Sequence, residues 1–317
     1  MSDIDPELDS VFENTPSDHR SGMVAVVGRP NVGKSTLINR ILGQKVAAVS
    51  PKPQTTRKRQ LGIYTGDHVQ ILFIDTPGLH LPRHKLGEYM VKHAESAFKD
   101  ADVILLLHDI SQPPDRGDQH IVETLTRLRG ATPVLLALNK ADVLDADKKD
   151  RYVAAHIETV KPEQAFLISA LTGEGVDLLL QELIARLPFG PRYYPAEQVS
   201  EVNMRFIAAE TIREKVMLHT EEEIPHATAV EIDSYRELPD QTIISGILYV
   251  ERDSQKGILI GKGGSMIKRI GSEARQDLEA MTNTQVYLDL RVKVLQNWRK
   301  DARLMQRLGY NVAADEK

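Results

Sequence analysis

Residues 28–35, with the sequence GRPNVGKS, constrain the fold of this chain more than any other segment. They fit the G-x-x-x-x-G-K-[ST] pattern of a phosphate-binding loop. The apolar run 23–27 before them predicts a buried strand, and residues 35–42 predict the start of a helix. Because a glycine-rich turn between strand and helix directs backbone N–H groups and the positive helix end at one point, we expect phosphates to bind there.

Two side chains of this loop have the chemistry that bound phosphates need. Lys34 is expected to bring a positive charge to the outer phosphates, and Ser35 to offer its hydroxyl to Mg²⁺. The alternative is a chance glycine turn. The rest of the chain decides between the two.

Length and composition set the class of protein. A length of 317 residues is sufficient for two domains. The content of 41% hydrophobic and 27% charged residues is typical of globular proteins. The absence of cysteine excludes disulfides and thiolate metal sites. No apolar run approaches the roughly 20 residues of a membrane span, and no secretion signal is present at the start. We therefore expect a cytoplasmic protein, with peripheral membrane contact left open.

Charge is distributed unevenly along the chain. The net charge of −5 argues against a uniformly basic nucleic-acid binder. Residues 1–20 are acidic and lack apolar periodicity, which predicts a disordered extension. Lys and Arg recur from Lys256 onward, so a local basic patch is compatible with the composition.

A segment with the composition of a mobile loop follows the first helix. Residues 44–59 contain prolines, threonines and several basic residues, which make a poor helix and a poor strand. Thr55 or Thr56 is placed to join the Mg²⁺ shell when a third phosphate is bound, and we favour Thr56. The alternative is an ordinary surface loop.

A short acidic motif follows the next predicted strand, residues 69–74. Asp75 comes at the strand end, where a carboxylate near Mg²⁺ belongs. Gly78, after Thr76 and Pro77, is expected to bring its N–H to the terminal phosphate because no side chain blocks the approach. Residues 79–90 predict a second mobile stretch that leads into a helix.

The segment 139–142, Asn-Lys-Ala-Asp, indicates which base is bound. It ends a predicted strand at 134–138, which follows a strand at 103–107 and a helix at 115–128. The Asp142 carboxylate can accept from the ring N–H and the amine of guanine, whereas adenine would leave it unpaired. Lys140 is expected to lay its aliphatic stem on the base, and Asn139 to brace the loop. The alternative is a helix cap.

The last strand of the first domain, residues 166–168, ends at Ser169 and Ala170. We expect the Ala170 N–H to donate to the guanine oxygen. A helix over 175–186 completes an alternation of strands and helices. This alternation predicts an α/β fold with a doubly wound, mostly parallel sheet and ligands at the carboxyl ends of its strands.

A proline-rich linker separates this domain from a smaller one. The linker prediction covers residues 188–199, and it is followed by an amphipathic helix over 199–218. Paired strands are predicted at 228–237 and 242–252, and a strictly alternating strand at 285–294. This order of elements indicates a smaller α+β domain.

The second domain carries the loop Gly261-Lys262-Gly263-Gly264. An apolar run precedes it and a helix follows, a pattern that lets a tight loop clamp single-stranded nucleotide backbone. A bare G-x-x-G string is most often only a turn, and the flanking elements favour RNA binding. Residues expected to contact RNA are Gly257, Ile258, Ile260, Gly261, Lys262, Gly263, Gly264, Lys268 and Arg269.

Residues 295–308 predict a basic C-terminal helix. One interpretation is that Trp298 packs this helix on the second domain and the charges are solvated. The other is a contact with RNA or anionic lipid.

These motifs together resemble a Ras-like GTPase of the translation-factor class. One such domain followed by a single type II K-homology (KH) domain resembles the Era family of bacterial GTPases, over nearly the whole chain after residue 22. The resemblance implies a P-loop G domain at 21–187 and a KH type II domain at 200–295, followed by a basic helix and tail at 296–317. It also implies GTP and GDP as ligands, Mg²⁺ as cofactor, and a monomer.

The resemblance further implies a function and a set of site residues. The function is maturation of the small (30S) ribosomal subunit through single-stranded 16S rRNA near its 3′ end, with peripheral association with the plasma membrane. The expected catalytic residues are Asn31, Lys34, Thr56 and Gly78, and the expected metal ligands are Ser35, Thr56 and Asp75. The expected GTP-binding residues are Gly28, Arg29, Pro30, Asn31, Val32, Gly33, Lys34, Ser35, Thr36, Asp75, Thr76, Pro77, Gly78, Leu79, Asn139, Lys140, Ala141, Asp142, Ser169, Ala170 and Leu171.

One residue departs from the Ras pattern. Leu79 follows Gly78 where Ras-like enzymes carry a glutamine that orients the attacking water, so we expect slow intrinsic hydrolysis. Asn31 resembles the asparagine of relatives that use K⁺ in place of an arginine finger.

Two other functions are weighed against this one. An RNA-dependent motor ATPase would prefer adenine and need a second motor core, and the Asp142 motif argues against it. A membrane-associated signalling GTPase would use the second domain as a protein-docking scaffold.

Overall fold

Residues 16–44, 47–48, 56–57, 60–78, 85–200 and 203–310 are described by a computed structural model. The chain divides into two units. Among the described residues, the first unit comprises 16–44, 47, 56–57, 60–78 and 90–200, and the second comprises 48, 85–89 and 203–310. The predicted loop at 44–59 lies mostly outside the described residues, and residues 1–15, Thr55, Leu79 and 80–84 lie outside them entirely.

Strands and helices alternate in the first unit. They are β1 (Arg20–Gly28), α1 (Lys34–Leu42), β2 (Gln60–Gly66), β3 (Val69–Asp75), α2 (Lys85–Asp100), β4 (Val103–Asp109), α3 (Arg116–Leu128), β5 (Val134–Asn139), α4 (Lys149–Val160), β6 (Gln164–Leu167) and α5 (Val176–Arg186). The sheet order is β2-β3-β1-β4-β5-β6, with β2 antiparallel to β3 and the other pairs parallel. The predicted doubly wound, mostly parallel sheet is confirmed.

Strand β1 shows why its apolar run is continuous. Val24 and Val26 are buried in one cluster with residues of α1 and α5, whereas Ala25 and Val27 are buried in another with residues of α2 and α3. A strand covered by helices on both faces needs apolar side chains at every position. Each fully buried Val or Leu contributes about 1.5–3 kcal/mol, so this central strand anchors the loop that follows it.

Two elements of the first unit were not predicted. Strand β2 lies at the sheet edge, and several of its residues remain partly exposed, so its apolar pattern is weak. Helix α4 has one buried residue, His156, and therefore carries little helical periodicity.

The predicted linker runs along the first unit. The Pro188 carbonyl accepts from the Ser21 N–H at 3.1 Å, and the Val199 carbonyl accepts from the Ile63 N–H at 2.9 Å. Between them the Gln70 side chain accepts from the N–H groups of Tyr193 and Tyr194 at 2.7 and 2.9 Å. The prolines prevent the linker from forming a regular strand. The hydrogen bonds nevertheless hold it against the first unit.

Residues 18–20 were expected in the acidic extension, and they contact the first unit instead. Asp18 pairs with His68 at 2.9 Å, and the His19 ring contacts the Gly190 carbonyl at 3.0 Å. Arg20 begins β1.

The second unit is a smaller α+β fold. Its elements are α6 (Met204–His219), α7 (Ile224–Ala227), β7 (Ala229–Glu237), β8 (Gln241–Val250), α8 (Asp253–Ile260), α9 (Ser265–Thr282), β9 (Gln285–Val294) and α10 (Ala302–Arg307). Strand β8 pairs antiparallel with β7 and parallel with β9. Ile212 of α6 and Ile270 of α9 pack against Leu248 on one sheet face. Helix α6 begins later than predicted because the Asn203 side chain caps it, accepting from the Phe206 N–H at 2.9 Å.

The prediction of a helix over 295–308 is wrong. Asn297 has a left-handed backbone with φ of 56°, which stops a helix, and Asp301 then caps the short α10 by accepting from the Arg303 and Leu304 N–H groups. Trp298 is fully buried, and its Nε1 donates to the Ala227 carbonyl at 2.8 Å. The packing of Trp298 is therefore confirmed, whereas the expectation that the charges are solvated is wrong for Arg299, which is 14% exposed and donates to Glu251 Oε2 at 2.6 Å.

The start of α2 belongs to the second unit. The Leu86 N–H donates to the Arg299 carbonyl at 3.3 Å, and the Tyr89 ring meets the edge of Tyr310 with 5.7 Å between centroids. The predicted mobile stretch 79–90 is therefore helical from Lys85 onward. No helix among the described residues is long and apolar enough to cross a lipid bilayer.

Candidate nucleotide site and nucleic-acid interface

The loop between β1 and α1 has the backbone that its glycines predict. Gly33 precedes α1 with φ of 100°, a conformation that L side chains rarely adopt. A Cβ built on Gly33 would lie 2.3 Å from the Asn139 amide nitrogen. Glycine is therefore required where the loop passes the end of β5.

Lys34 lies inside this loop. Its Nζ donates to the carbonyl oxygens of Gly28 at 3.1 Å and Arg29 at 2.9 Å. Burial lowers the pKa of Lys34 to about 8, and the charge of Asp75 opposes this shift. A buried ammonium group held by two carbonyls gains strongly from a nearby polyanion.

The three predicted metal ligands lie together. The Ser35 hydroxyl donates to Asp75 Oδ2 at 2.7 Å, and the Thr56 hydroxyl donates to the same oxygen at 3.0 Å. The two hydroxyl oxygens are 3.0 Å apart. This set of two hydroxyls and one carboxylate fits Mg²⁺, which prefers oxygen ligands and completes its shell with phosphates and water.

The segment after β3 is fixed beside the loop. The Thr76 hydroxyl donates to the Val26 carbonyl of β1 at 2.8 Å. Gly78 is buried next to Pro30, since a Cβ built on it would fall 2.6 Å from the Pro30 nitrogen. Gly78 therefore lies against the phosphate-binding loop, where its predicted contact with the terminal phosphate would form.

Asn139 links three segments of the site. Its amide nitrogen donates to the Val32 carbonyl at 2.7 Å, and its amide oxygen accepts from the Ala170 N–H at 2.8 Å. The predicted bracing role of Asn139 agrees with this geometry. The Ala170 N–H was expected to donate to guanine, and that contact stays a prediction.

The residues predicted to recognise the base follow Asn139 at the end of β5. Lys140 has a left-handed backbone with φ of 70° and starts a short 3₁₀ turn that contains Ala141 and Asp142. The Asp142 side chain is exposed, Ser169 is buried, and Leu171 is 67% exposed.

Several residues that hold this site were missed in the sequence. Asp115 and Asp118 pair with Arg29, itself an expected GTP-binding residue, at 2.7 Å and 3.4 Å. Arg40 donates to the carbonyls of Ala170 and Leu171. The Asp109 carboxylate at the end of β4 contacts Lys140 Nζ at 2.5 Å. An acidic residue that ends an apolar strand, as Asp75 also does, is the signal that Asp109 offered.

The second site is the loop between α8 and α9. Gly261, Gly263 and Gly264 have φ values of 73°, 61° and 79°, which only a glycine-rich sequence tolerates in such close succession. Lys262 and Lys268 are exposed. Lys262 of the loop and Lys268 in the first turn of α9 thus place two cations near the N-terminus of α9, whose first N–H groups have no side-chain cap.

The apolar side chains expected beside this loop differ in exposure. Ile258 is 55% exposed, whereas Ile260 packs partly against the core of the second unit. Gly257 is exposed on α8. Arg269 is exposed but pairs with Glu273 at 3.2 Å within its own helix.

The fold and the first site define a P-loop GTPase. Residues 23–140 match the family model of 50S ribosome-binding GTPases, and residues 223–299 match that of KH domains. The GTPase Era of Geobacter metallireducens is 48% identical over 294 residues, which are 92% of this chain and 98% of that protein. The chain therefore belongs to the Era family of GTPases, which hydrolyse GTP.

Two solved structures resemble this chain over its length. One is Era in complex with MgGDPNP and nucleotides 1506–1542 of 16S ribosomal RNA, with a TM-score of 0.88 and 36% identity. The match between the two structures covers 93% of this chain and 100% of the Era chain. The other is a tyrosine-to-alanine variant of Aquifex aeolicus Era bound to GDP·AlF4⁻, with a TM-score of 0.87, 36% identity, and coverage of 92% and 100%.

Proposed function

We propose that this GTPase is a nucleotide-controlled switch that binds single-stranded 16S rRNA near its 3′ end during assembly of the 30S subunit. The observation that carries this proposal is the Gly261–Gly264 loop with exposed Lys262, followed by exposed Lys268 in the first turn of α9, in a unit that matches a KH domain. The solved Era complex with 16S rRNA nucleotides supports the choice of RNA.

The nucleotide site has named roles in this proposal. Ser35, Thr56 and Asp75 would hold Mg²⁺, which bridges and neutralises phosphate oxygens when it is bound. Lys34 stabilises the charge that develops on the γ-phosphate as water attacks in line. The Gly78 N–H contacts the terminal phosphate. Asn139, Lys140 and Asp142 recognise guanine.

Asn31 is proposed as a ligand of K⁺ beside the phosphates. Leu79 cannot orient water, so another group must supply transition-state charge or position the nucleophile. Asn31 has φ of 64° in the phosphate loop. GTP turnover is expected to be faster in KCl than in NaCl at equal ionic strength, and equal rates would refute this role.

The RNA-binding mode follows from the exposure of the loop. Backbone phosphates meet the Lys262 and Lys268 side chains and the N–H groups at the start of α9. Unstacked bases lie against Ile258, which exposes more than half of its surface. Ile260 contributes less, since it is partly buried.

Control by nucleotide follows from the chain path after Gly78. Residues 85–89 come a few positions after the predicted γ-phosphate contact of Gly78 and belong to the second unit. A shift of Gly78 between GTP and GDP is therefore passed along the chain to Leu86 and Tyr89, whose partners lie near the C-terminus.

The proposed RNA function is tested with a labelled RNA that spans nucleotides 1506–1542. The protein with a non-hydrolysable GTP analogue is expected to bind this RNA in single-stranded form and to bind a fully paired duplex of the same sequence much more weakly. Liposomes of anionic lipid form the second arm. Binding to liposomes with no RNA binding would favour the membrane-associated signalling GTPase and overturn the proposal.

A further inference from the structure

The end of strand β4 holds an acidic side chain whose two oxygens have different partners. Asp109 Oδ1 accepts from the Ser111 hydroxyl at 2.6 Å and from the Ser111 N–H at 3.0 Å. Asp109 Oδ2 accepts from Lys140 Nζ at 2.5 Å. Ser111 thus fixes the rotamer of the carboxylate, and the carboxylate fixes the ammonium group of the base-recognition lysine.

Lys140 is held at both ends of its side chain. Its backbone is fixed in the left-handed region, and the Asn139 carbonyl before it accepts from the Ile110 N–H at 2.9 Å. Its ammonium group is fixed at Asp109. The four methylenes between these two anchors are therefore ordered before any base arrives.

We propose that Asp109 is a positioning residue for guanine nucleotides, which holds the Lys140 stem in place for the base through the Asp109–Lys140 ion pair. This inference rests on the proposed role of Lys140 at the base. A free lysine side chain loses much rotamer freedom when it is immobilised, and a ligand that must order it binds more weakly. Because Asp109 already orders the Lys140 side chain, its rotamer freedom is not lost when the nucleotide binds.

Burial separates this pair from an ordinary surface ion pair. The Asp109 and Lys140 side chains are 24% and 35% exposed, whereas Asp145 and Lys148 form a pair of equal length with exposures of 67% and 47%. Partial burial alone would raise the pKa of the Asp109 carboxyl, and hydrogen bonds from Lys140 and Ser111 outweigh it and lower that pKa. The carboxylate is therefore ionised at neutral pH.

The test compares Asp109→Asn with the matched control Asp145→Asn in the full-length protein. Asparagine keeps the size of the side chain and removes the charge. Asp109→Asn is expected to raise the Kd for GDP and the KM for GTP by about tenfold each, as expected for ordering one lysine, with kcat within about twofold. Asp145→Asn is expected to change none of these constants.

Two further variants exclude a merely structural effect. Asp109→Glu keeps the charge and is expected to restore the Kd for GDP to within about threefold of the starting protein. In a Lys140→Ala background, Asp109→Asn is expected to have no additional effect on Kd, because it acts only through Lys140.

Three results would overturn the inference. They are an unchanged Kd for GDP in Asp109→Asn, a loss of affinity that persists in the Lys140→Ala background, and a failure of Asp109→Glu to restore binding. If Lys140→Ala itself leaves the Kd for GDP unchanged, the proposed base site is also wrong. If Lys140→Ala weakens binding and Asp109→Asn does not, only the positioning role of Asp109 fails.

Discussion

The nucleotide site and the Gly261–Gly264 loop are built in opposite ways. The nucleotide site joins several chain segments by side chains that are mostly buried, as Asn139 shows by contacting both the phosphate loop and Ala170. The Gly261–Gly264 loop is one continuous segment whose lysine faces solvent. The first arrangement holds its polar groups in fixed positions, and the second leaves them accessible.

This difference matches the two kinds of ligand. A small nucleotide is selected by groups fixed in advance, because a mismatched base leaves a polar group unpaired. A single strand of RNA presents repeated phosphates, which an exposed cationic loop attracts with little dependence on exact position. We therefore expect substitutions to have large effects at the first site and graded effects at the second.

The largest effect is expected for Lys34→Ala. This change removes the buried ammonium group and is expected to weaken GTP and GDP binding by ~10³-fold or more, since charge-assisted hydrogen bonds in a buried site are lost. Fluorescent-nucleotide titration measures the effect, and circular dichroism checks the fold. Binding at the level of the unaltered protein would refute the role of Lys34.

Asp142→Asn is expected to come next. The amide NH₂ that replaces one carboxylate oxygen cannot accept from the guanine amine, and it can donate to the xanthine oxygen instead. GTP affinity is expected to fall by about 10²-fold and XTP affinity to rise, because the new NH₂ group faces another donor in guanine but an acceptor in xanthine. Competition between the two nucleotides measures the switch. Guanine preference that survives the substitution would mean that another group recognises the base.

Lys262→Ala tests the graded behaviour of the second site. Loss of one phosphate contact is expected to weaken RNA binding about threefold to tenfold and to reduce the slope of log K against log salt by about 0.7. The control is Lys149→Ala, which removes one exposed lysine from the first unit. A loss as large as that at Lys34, or none at all, would break the contrast between the two sites.

The smallest expected effect is the uptake of protons when the nucleotide binds. Burial lowers the pKa of Lys34 to about 8 in the protein without nucleotide, so the group loses its proton as pH rises through this pKa. Phosphates favour the charged form, so binding at a pH of about 8 is expected to take up about half a proton, and much less at a pH of about 6. Calorimetry in buffers with different ionisation heats measures this. A heat at the higher pH that is independent of the buffer would contradict it.

The sequence reveals different parts of the nucleotide site and of the Gly261–Gly264 loop. The nucleotide motifs are visible because each is a short run at a strand end, and the parallel sheet brings such ends to one edge. The supporting residues Arg40 and Asp118 were missed because each contacts the site across the fold and carries no local pattern, whereas Asp109 carries one as the acidic end of the apolar strand β4. The Gly261–Gly264 loop is local, so its conformation follows from its glycines alone.

The same distinction holds for the fold. Strand β1 was predicted because burial on both faces makes it apolar throughout, whereas β2 at the edge and α4 with one buried residue carry weak patterns. The C-terminal segment misled prediction in another way. Its apolar residues have helical spacing, and the left-handed Asn297 and the Asp301 cap override that spacing.

The central claim is that the nucleotide at the first site controls RNA binding at the second. The most direct measurement is the Kd for the RNA of nucleotides 1506–1542, determined for one protein preparation with a GTP analogue, with GDP and without nucleotide. We expect binding at least about tenfold tighter with the GTP analogue than with GDP, a usual size for coupling between two sites. Equal affinities in all three states would contradict the account, even if both sites bind their ligands.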